Sequence, residues 1–329
     1  MTTICVDAMG GDERPEVVLE GVAAALAADG ELSVLVAGDE DVVVPFCAAH
    51  ERARALVTTQ SIGMSEHPTD AVRAKRDSSI VRGLGAVRAG EADGFFSAGS
   101  TGAVFAAATL GIGRIRGIRR PALACAVPGS SGRMTVFLDM GANADVRPEM
   151  LVQFAHMGRA YARVALGVES PRVALLSNGS EDSKGSEAAI AAHEALAQAG
   201  PWFAGNCEGT DILAGRFDVI VCDGFSGNVA VKTLEGTAKF IMAEVRRAVA
   251  GSKRAAAGAL LLRPALKSVA ESLSGDRYGG AILLGAKAPV LIGHGATSVE
   301  AVKNGTLAAA EVVRGHLVDK ISEGIGQGE

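Results

Sequence analysis

Six glycine-rich segments of the chain carry side chains that could bind an oxyanion. Each combines glycine with hydrogen-bonding side chains: DAMGGD (7–12), SAGSTG (97–102), DMGAN (139–143), NGSEDSKG (178–185), DGFSGN (223–228) and GHGATS (293–298). Hydroxyl, amide and ammonium donors, together with backbone N–H groups, suit an anion such as phosphate. A single turn of this kind is common at strand ends. Six of them predict a binding site for phosphate.

The elements that must position these segments alternate along the chain. Seven apolar runs of strand length each precede a stretch of helical pattern: LSVLVAGD, ADGFFSAGS, PALACAVP, MTVFLDMGAN, RVALLSNGS, FDVIVCDGF and PVLIGHG. This alternation predicts an α/β fold in which helices cover both faces of a mainly parallel sheet. Because parallel strands end at a common edge, we expect all six segments at one edge of the sheet.

The first segment illustrates the expected geometry of a strand end. Residues 4–6 predict a buried strand, which places Asp7 at its carboxyl end. Gly10 and Gly11 permit a tight turn there, and Pro15 opens a helix. Asp7 is therefore placed either to form part of a site or to cap the turn.

The composition excludes several classes of function. The 329 residues are 48% hydrophobic, which allows one large core or two moderate ones. A net charge of −5 and 4% aromatic residues argue against nucleic acid as a partner. The five cysteines are odd in number and widely spaced, which predicts a reducing compartment. No leader and no apolar run of about 18 residues is present, so we expect a cytoplasmic protein.

Cofactor and metal signatures are missing from the sequence. No GxxxxGK[ST] occurs, and no predicted strand is followed by GxGxxG. The histidines have no spacing typical of metal ligands. We therefore predict no cofactor and no metal site.

The chain is predicted to form one domain over residues 1–329, with two lobes around a cleft, because no repeat or long linker divides it. Between residues 231 and 270, eight basic residues face only two glutamates. Two apolar stripes of helical spacing flank three leucines at 260–262, which predicts a protruding amphipathic helical hairpin over residues 231–275. The stripes are predicted to pack in a dimer, and the leucines either insert between anionic lipid headgroups or pack as ordinary core.

Seven motifs in sequence order resemble a known family. They are VDAMGGD, AKRDSSIVRGL, SAGSTGA, LDMGANAD, EDSKGSE, FDVIVCDGFSGNVAVKTLEG and YGGAILLG, the last followed by IGHG. Together they resemble the phosphate acyltransferases of bacterial phospholipid synthesis over nearly the whole chain. Ser100 stands where asparagine is common in the family, and Ile282 stands where proline is common.

The resemblance implies a fold, a reaction and partners. The fold is a three-layer αβα architecture of the isocitrate dehydrogenase and phosphotransacetylase type, assembled as a homodimer. The reaction moves a long-chain fatty acyl group from acyl carrier protein to inorganic phosphate. A membrane-bound glycerol-3-phosphate acyltransferase then uses the acyl phosphate. This implies peripheral association with the inner face of the cell membrane and contact with its anionic surface.

The resemblance also implies roles for individual residues. Phosphate is already ionised at neutral pH, so positioning and charge stabilisation should carry the reaction. Lys184 is implied as a cationic partner of phosphate or oxyanion, Asn228 as a donor to the thioester oxygen, and His294 as a proton donor to the thiolate. The aspartates among the implied binding residues are expected to orient other groups. The implied binding residues are Asp7, Gly10, Gly11, Asp12, Ser97, Gly99, Ser100, Thr101, Gly102, Asp139, Asn143, Asp223, Ser226 and Gly227.

Alternative interpretations remain open at this point. In the alternative to the implied roles, Lys184 is a solvated surface lysine, Asn228 is a helix cap and His294 is a buried structural histidine. The protein could instead be a phosphotransacetylase that uses acyl coenzyme A, or a noncatalytic scaffold at the membrane. A metal-dependent hydroxyacid dehydrogenase of similar fold would need clustered acidic ligands, which the sequence does not offer.

Overall fold

The computed structural model describes the chain except for residues 131, 253, 256, 257, 260, 266–278, 294–296, 328 and 329. The elements up to residue 128 are β1 (Thr2–Asp7), α1 (Glu16–Ala28), β2 (Leu32–Gly38), α2 (Glu40–Ala48), β3 (Ala53–Val57), α3 (Pro68–Ala74), α4 (Ser79–Ala89), β4 (Gly94–Ser97), α5 (Thr101–Gly111) and β5 (Ala122–Pro128). The later elements are β6 (Met134–Leu138), α6 (Pro148–Leu166), β7 (Val173–Leu176), α7 (Glu187–Ala199), β8 (Phe203–Cys207), β9 (Val219–Val221), α8 (Gly224–Ala250), β10 (Ala281–Leu284), β11 (Val290–Ile292), α9 (Val299–Arg314) and α10 (Leu317–Gln327).

The described strands form one sheet in the order β3-β2-β1-β4-β11-β10-β5-β6-β9-β7-β8. Two groups of neighbours are parallel within themselves: β3-β2-β1-β4-β11 and β6-β9-β7-β8. Between the groups, β10 is antiparallel to both β11 and β5, and β5 is antiparallel to β6. The prediction of a mainly parallel sheet is confirmed.

The expectation that all six glycine-rich segments share one edge is wrong. Three antiparallel pairings separate β11 from β6, and an odd number of reversals makes the second group of strands run opposite to the first. The segments after β1, β4 and β11 therefore lie at one edge, and those after β6, β7 and β9 lie at the other. The run PALACAVP also precedes a strand rather than a helix, because β5 turns back into β6.

Helices cover both faces of the sheet. In β1, Ile4 and Val6 pack on the face that α1, α6, α7, α9 and α10 cover. Cys5 packs on the opposite face, with α3, α4 and α5. Alternation along each strand thus buries both faces in apolar cores, which is the predicted three-layer αβα arrangement.

The first apolar stripe of the predicted hairpin lies on helix α8. Its 27 residues span about 40 Å, and only Gly224 and Gly227 near its start are buried. The helix begins at residue 224 rather than 231, because Asp223 caps it. The second stripe and Leu260 lie outside the described residues. No helix in the described part of the chain is both long and apolar enough to cross a bilayer.

Candidate functional site

The loop after β6 is organised by one buried carboxylate. Asp139 is fully buried at the end of that strand. Its Oδ1 accepts hydrogen bonds from the backbone N–H groups of Leu123 (3.0 Å), Gly141 (3.2 Å) and Ala142 (3.0 Å). Its Oδ2 accepts from the backbone N–H and from Nδ2 of Asn143, both at 2.8 Å. Since both oxygens accept hydrogen bonds from the protein, the role of Asp139 is to shape the loop.

Burial dominates the ionisation of the groups beneath this loop. It raises the pKa of the Asp139 carboxyl above its ordinary value, and hydrogen bonds from the loop amides and Asn143 oppose that rise. Burial also raises the pKa of the Cys222 thiol well above its usual value. A buried thiol of this kind is a poor nucleophile. Cys222 is therefore a packing residue.

Two glycines allow the start of α8 to approach the Asp139 loop. The backbone N–H of Gly224 donates to the carbonyl oxygen of Asn143 at 2.8 Å. A Cβ on Gly224 would lie 2.6 Å from that oxygen, and a Cβ on Gly227 would lie 1.8 Å from the carbonyl oxygen of Asp139. No residue with a side chain fits these positions without a backbone shift.

The first turn of α8 presents Asn228 at the surface. Asp223 is the N-cap, with Oδ1 accepting from the Ser226 backbone N–H and Oδ2 from Ser226 Oγ, both at 2.8 Å. Asn228 is therefore not the cap. Its side chain is exposed, and Nδ2 donates to the carbonyl oxygen of Met140 at 3.2 Å. The second N–H of that amide points away from this bond and can serve a substrate oxygen.

The loop after β7, residues 177–186, presents Lys184 at the surface. The backbone N–H of Lys184 donates to the carbonyl oxygen of Glu181 at 3.0 Å. A Cβ on Gly179 would lie 2.7 Å from Cγ of Lys184, so the lysine stem lies directly over this glycine. Among the described residues, no carboxylate forms an ion pair with Lys184. Its positive charge is available to an anion.

Two buried residues that the sequence analysis did not single out hold this loop. His193 Nδ1 and Asn206 Oδ1 are hydrogen-bonded at 2.9 Å, and Asn206 Nδ2 donates to the carbonyl oxygen of Glu181 at 2.9 Å. His193 Nε2 also lies 3.4 Å from Asp182 Oδ1. The available signal was a histidine on the apolar face of the alanine-rich α7, a position that requires a polar partner.

Lys184 and Asn228 follow neighbouring strands. Strands β7 and β9 are parallel and directly paired, and β9 pairs in turn with β6. The carboxyl ends of these three strands carry the Lys184 loop, the start of α8 and the Asp139 loop. This edge therefore gathers an ammonium group and a side-chain amide, both exposed, beside the backbone of Ser226 and Gly227.

The opposite edge holds a second cluster around Asp7. Ser97 Oγ donates to Asp7 Oδ2 at 2.6 Å and accepts from the Gly99 backbone N–H at 3.0 Å. Asp7 Oδ1 accepts from the Met9 backbone N–H at 3.0 Å, and burial raises the pKa of the Asp7 carboxyl. A Cβ on Gly10 would lie 2.6 Å from the Gly99 nitrogen, so the loops after β1 and β4 are in close contact.

The start of α5 belongs to this second cluster. Ser100 is its N-cap, with Oγ accepting from the Ala103 backbone N–H at 3.5 Å, so the serine at this departure from the family pattern has a capping role. Thr101 is exposed, and a Cβ on Gly102 would lie 2.6 Å from Pro68 Cγ.

The remaining predicted site residues are Gly11, Asp12 and His294. Asp12 is exposed on the loop after β1. Gly11 has a φ of 95°, which favours glycine in that turn. His294 lies outside the described residues, so its predicted role as proton donor has no structural test.

Replacing Asp139 by asparagine should lower the free energy of unfolding by about 3 kcal/mol, because an NH2 group would then face buried N–H donors. Urea denaturation provides the measurement. Asp145→Asn is the matched control, since Asp145 is exposed further along the same loop and should leave the unfolding midpoint unchanged. Equal midpoints for the two variants would contradict the structural role of Asp139.

Comparisons with known proteins agree with this architecture. The family model described as "Fatty acid synthesis protein" matches residues 2–320. A phosphate acyltransferase of Limosilactobacillus reuteri is 42% identical over 326 residues, covering 97% of this chain and 95% of the relative. A phosphate acyltransferase of Lacticaseibacillus casei is 44% identical over 322 residues, covering 97% and 94%.

The fold is similar to that of a solved phosphotransacetylase from Streptococcus pyogenes, with a TM-score of 0.62 and 18% sequence identity over 95% of this chain and 94% of that one. This likeness confirms the predicted phosphotransacetylase-like fold. The identity and coverage of the sequence relatives, together with the matched family model, establish the family of this chain. The chain belongs to the phosphate acyltransferase family of acyltransferases.

Proposed function

We propose that the protein transfers a long-chain fatty acyl group from the thioester of acyl carrier protein to inorganic phosphate. The product is an acyl phosphate, which a membrane-bound enzyme then uses to acylate glycerol-3-phosphate in phospholipid synthesis. One observation carries the proposal. Lys184, which has no carboxylate partner among the described residues, and Asn228 are exposed at the ends of two paired parallel strands.

The proposed reaction requires little covalent chemistry from the protein. A phosphate oxygen attacks the thioester carbonyl carbon, and the resulting oxyanion collapses as the C–S bond breaks and the thiolate departs. Lys184 pairs with the phosphate or with the oxyanion, and Asn228 Nδ2 donates to the oxyanion. Preorganised donors of this kind commonly contribute about 3 to 4 kcal/mol each to acyl transfer. The backbone N–H groups of Ser226 and Gly227 already donate to Asp223 Oδ1 (2.8 Å) and to the Asp223 carbonyl oxygen (3.0 Å), so the expected contribution of these amides to substrate binding is wrong.

Two of the carboxylates at this edge, Asp139 and Asp223, are hydrogen-bonded to protein donors. Asp139 accepts five hydrogen bonds from protein donors, and Asp223 accepts two from Ser226. Their negative charge is therefore spread over N–H and O–H groups of the protein. The exposed carboxylates of Glu181 and Asp182 lie on the Lys184 loop itself, so attraction of phosphate there rests on the Lys184 ammonium group.

The reaction is tested by incubating the purified full-length protein with a long-chain acyl carrier protein, with and without phosphate. We expect free thiol and acyl phosphate to appear together, and only when phosphate is present. Thiol release that does not depend on phosphate would contradict the proposal. A parallel incubation with long-chain acyl coenzyme A tests the other thioester donor, and faster turnover with it would assign the donor to coenzyme A.

We also propose that the protein acts as a homodimer in which α8 is covered by a second copy. The side chains of Phe225, Val229, Phe240 and Ile241 on this helix are between 51% and 67% exposed. Large apolar groups that recur along one helix favour a protein partner over water. Sedimentation equilibrium of the full chain tests this, and a monomer at every concentration would contradict it.

Leu261 and Leu262, which lie beyond α8 and are here called the tip, support a peripheral position on the inner face of the cell membrane. Leu261 is 83% exposed and Leu262 is 58% exposed, and Arg254 and Arg263 nearby are also exposed. Adjacent exposed leucines between basic side chains suit shallow insertion among anionic headgroups. Such a contact would deliver the lipophilic product to an acyltransferase in the membrane.

The double variant Leu261→Ser/Leu262→Ser should sediment less with anionic liposomes, because the tip would lose its apolar anchors, while acyl phosphate formation in solution persists. The matched control is Leu110→Ser, since Leu110 is a 60% exposed leucine on a different helix, α5. Higher salt should weaken liposome binding of the unmodified protein. Unchanged sedimentation of the double variant would remove the tip from the proposal.

A further inference from the structure

Five exposed arginines form a basic surface that the proposed reaction does not use. The segment GRIRGIRR, residues 113–120, contains four arginines and no acidic residue. A fifth arginine lies on the loop that precedes α6. We call this set the arginine surface; its members, all exposed, are Arg114, Arg116, Arg119, Arg120 and Arg147. It stands out in a chain whose net charge is −5.

The backbone beneath the arginine surface is held firmly. Ile115 and Ile118 are buried in the core, and the Ile115 N–H donates to the carbonyl oxygen of Gly285 at 3.0 Å. Gln153 on α6 accepts from the Arg119 backbone N–H and donates to the Gly117 carbonyl oxygen, both at 2.9 Å. Buried isoleucines thus alternate with outward-facing arginines. The guanidinium groups extend from a fixed scaffold rather than from a free loop.

Little of the positive charge is neutralised within the protein. Arg119 Nη1 lies 3.7 Å from Glu149 Oε2, and both side chains are more than half exposed, so this pair is weak. Three of the five arginines line an open cavity of about 350 Å³, together with one carboxylate. The lining residues are Arg119, Arg120, Asp145, Val146, Arg147 and Met150. Three positive charges against one make this cavity suited to carboxylate groups.

The arginine surface shares its supporting loops with the candidate site. Asn143 Nδ2 donates to the carbonyl oxygen of Pro121, directly after the basic segment, at 2.8 Å. The Asn143 carbonyl oxygen accepts from Gly224 at the start of α8 at 2.8 Å. Residues 145–147, which line the cavity, continue the same loop. The cavity therefore borders the edge of the sheet that presents Asn228.

We infer that the arginine surface docks a carboxylate-rich face of the protein that delivers the acyl thioester. The inference rests on the proposed function, since it names where the donor protein binds beside that site. This chain carries a net charge of −5, so it repels a carboxylate-rich partner at long range unless it presents a local patch of positive charge. The arginine surface is such a patch. Exposed guanidinium groups form bidentate hydrogen bonds with carboxylates, which orient a protein partner.

The test compares two acyl donors on the double variant Arg119→Ala/Arg120→Ala. With long-chain acyl carrier protein, KM should rise at least about tenfold with little change in kcat, because losing two charged contacts weakens encounter and binding. With an acyl-pantetheine thioester, which lacks the protein, both constants should stay unchanged. The control Arg88→Ala removes an exposed arginine of α4 and should match the unmodified protein for both donors.

Binding measured without turnover separates this inference from the proposed reaction. Titration of holo-acyl carrier protein into the full chain should show at least about tenfold weaker binding by the double variant. If the unmodified protein bound the carrier protein without transferring acyl groups, the proposed reaction would fail and the docking surface would stand. Equal binding by both proteins would overturn the inference. A loss of acyl-pantetheine turnover equal to the loss with acyl carrier protein would also overturn it, because the arginines would then belong to the reacting site. Loss of binding to anionic vesicles alone would overturn it as well.

Discussion

Replacing Lys184 or Asn228 by alanine is expected to reduce acyl phosphate formation at least about a hundredfold, because each change removes a donor that acts on developing charge. The midpoint of thermal unfolding, Tm, should stay nearly unchanged in both variants. Both side chains are exposed and contribute no core volume. Steady-state kinetics with acyl carrier protein and phosphate, together with calorimetry, provide the two measurements.

Conservative variants sharpen this prediction. Asn228→Asp keeps the size of the side chain but replaces the N–H donor with a negative charge, so it should be at least as inactive as Asn228→Ala. Lys320→Ala is the control for loss of an exposed lysine elsewhere, on α10, and should retain full activity. Near-normal turnover of both alanine variants would make Lys184 a solvated surface residue and Asn228 a structural one.

The second large effect is expected at the start of α8, where Gly227→Ala should lower the free energy of unfolding by about 3 kcal/mol. The new Cβ would lie 1.8 Å from the carbonyl oxygen of Asp139, a separation that only a backbone shift can relieve. The shift would move α8 away from the Asp139 loop and displace Asn228. Activity should therefore fall together with stability, as urea denaturation and kinetics on the same preparation would show.

The same helix provides a control for which the expected change in stability has the opposite sign. Gly236 is exposed on α8, and a Cβ there would meet no atom within 4 Å. Gly236→Ala should therefore stabilise the helix by about 0.5 to 1 kcal/mol, since alanine has the higher helix propensity. Similar unfolding midpoints for the two variants would mean that α8 does not pack against Asp139 as described.

The layered fold and the mainly parallel sheet could be predicted from the sequence, but the antiparallel pairings of β5 and β10 could not. The apolar run of β5 has the composition of a buried strand, and nothing in it indicates that it turns back antiparallel into β6. The sequence of strand β10, AILL, likewise gives no indication that both of its neighbours are antiparallel. Periodicity reports which faces of a strand are buried, and it carries no information about direction.

The site was predictable at the level of its segments but not of its geometry. Asp7 and Asp139 end buried strands in similar sequence contexts, yet they lie at opposite edges of the sheet. One of the five hydrogen bonds of Asp139 comes from Leu123 on the neighbouring strand β5, a contact that sequence spacing does not reveal. The support of the Lys184 loop by His193 and Asn206 likewise depends on contacts between elements that sequence spacing does not reveal.

The position of β10 and β11 has a consequence for synthesis of the chain on the ribosome. These two strands, residues 281–292, lie in the middle of the sheet although they are among the last to be made. Among the described strands they alone join β4 to β5. A nascent chain that ends before residue 281 therefore holds two separate sheets with unpaired edges at β4 and β5. Such edges are open to pairing with other chains until the final strands emerge.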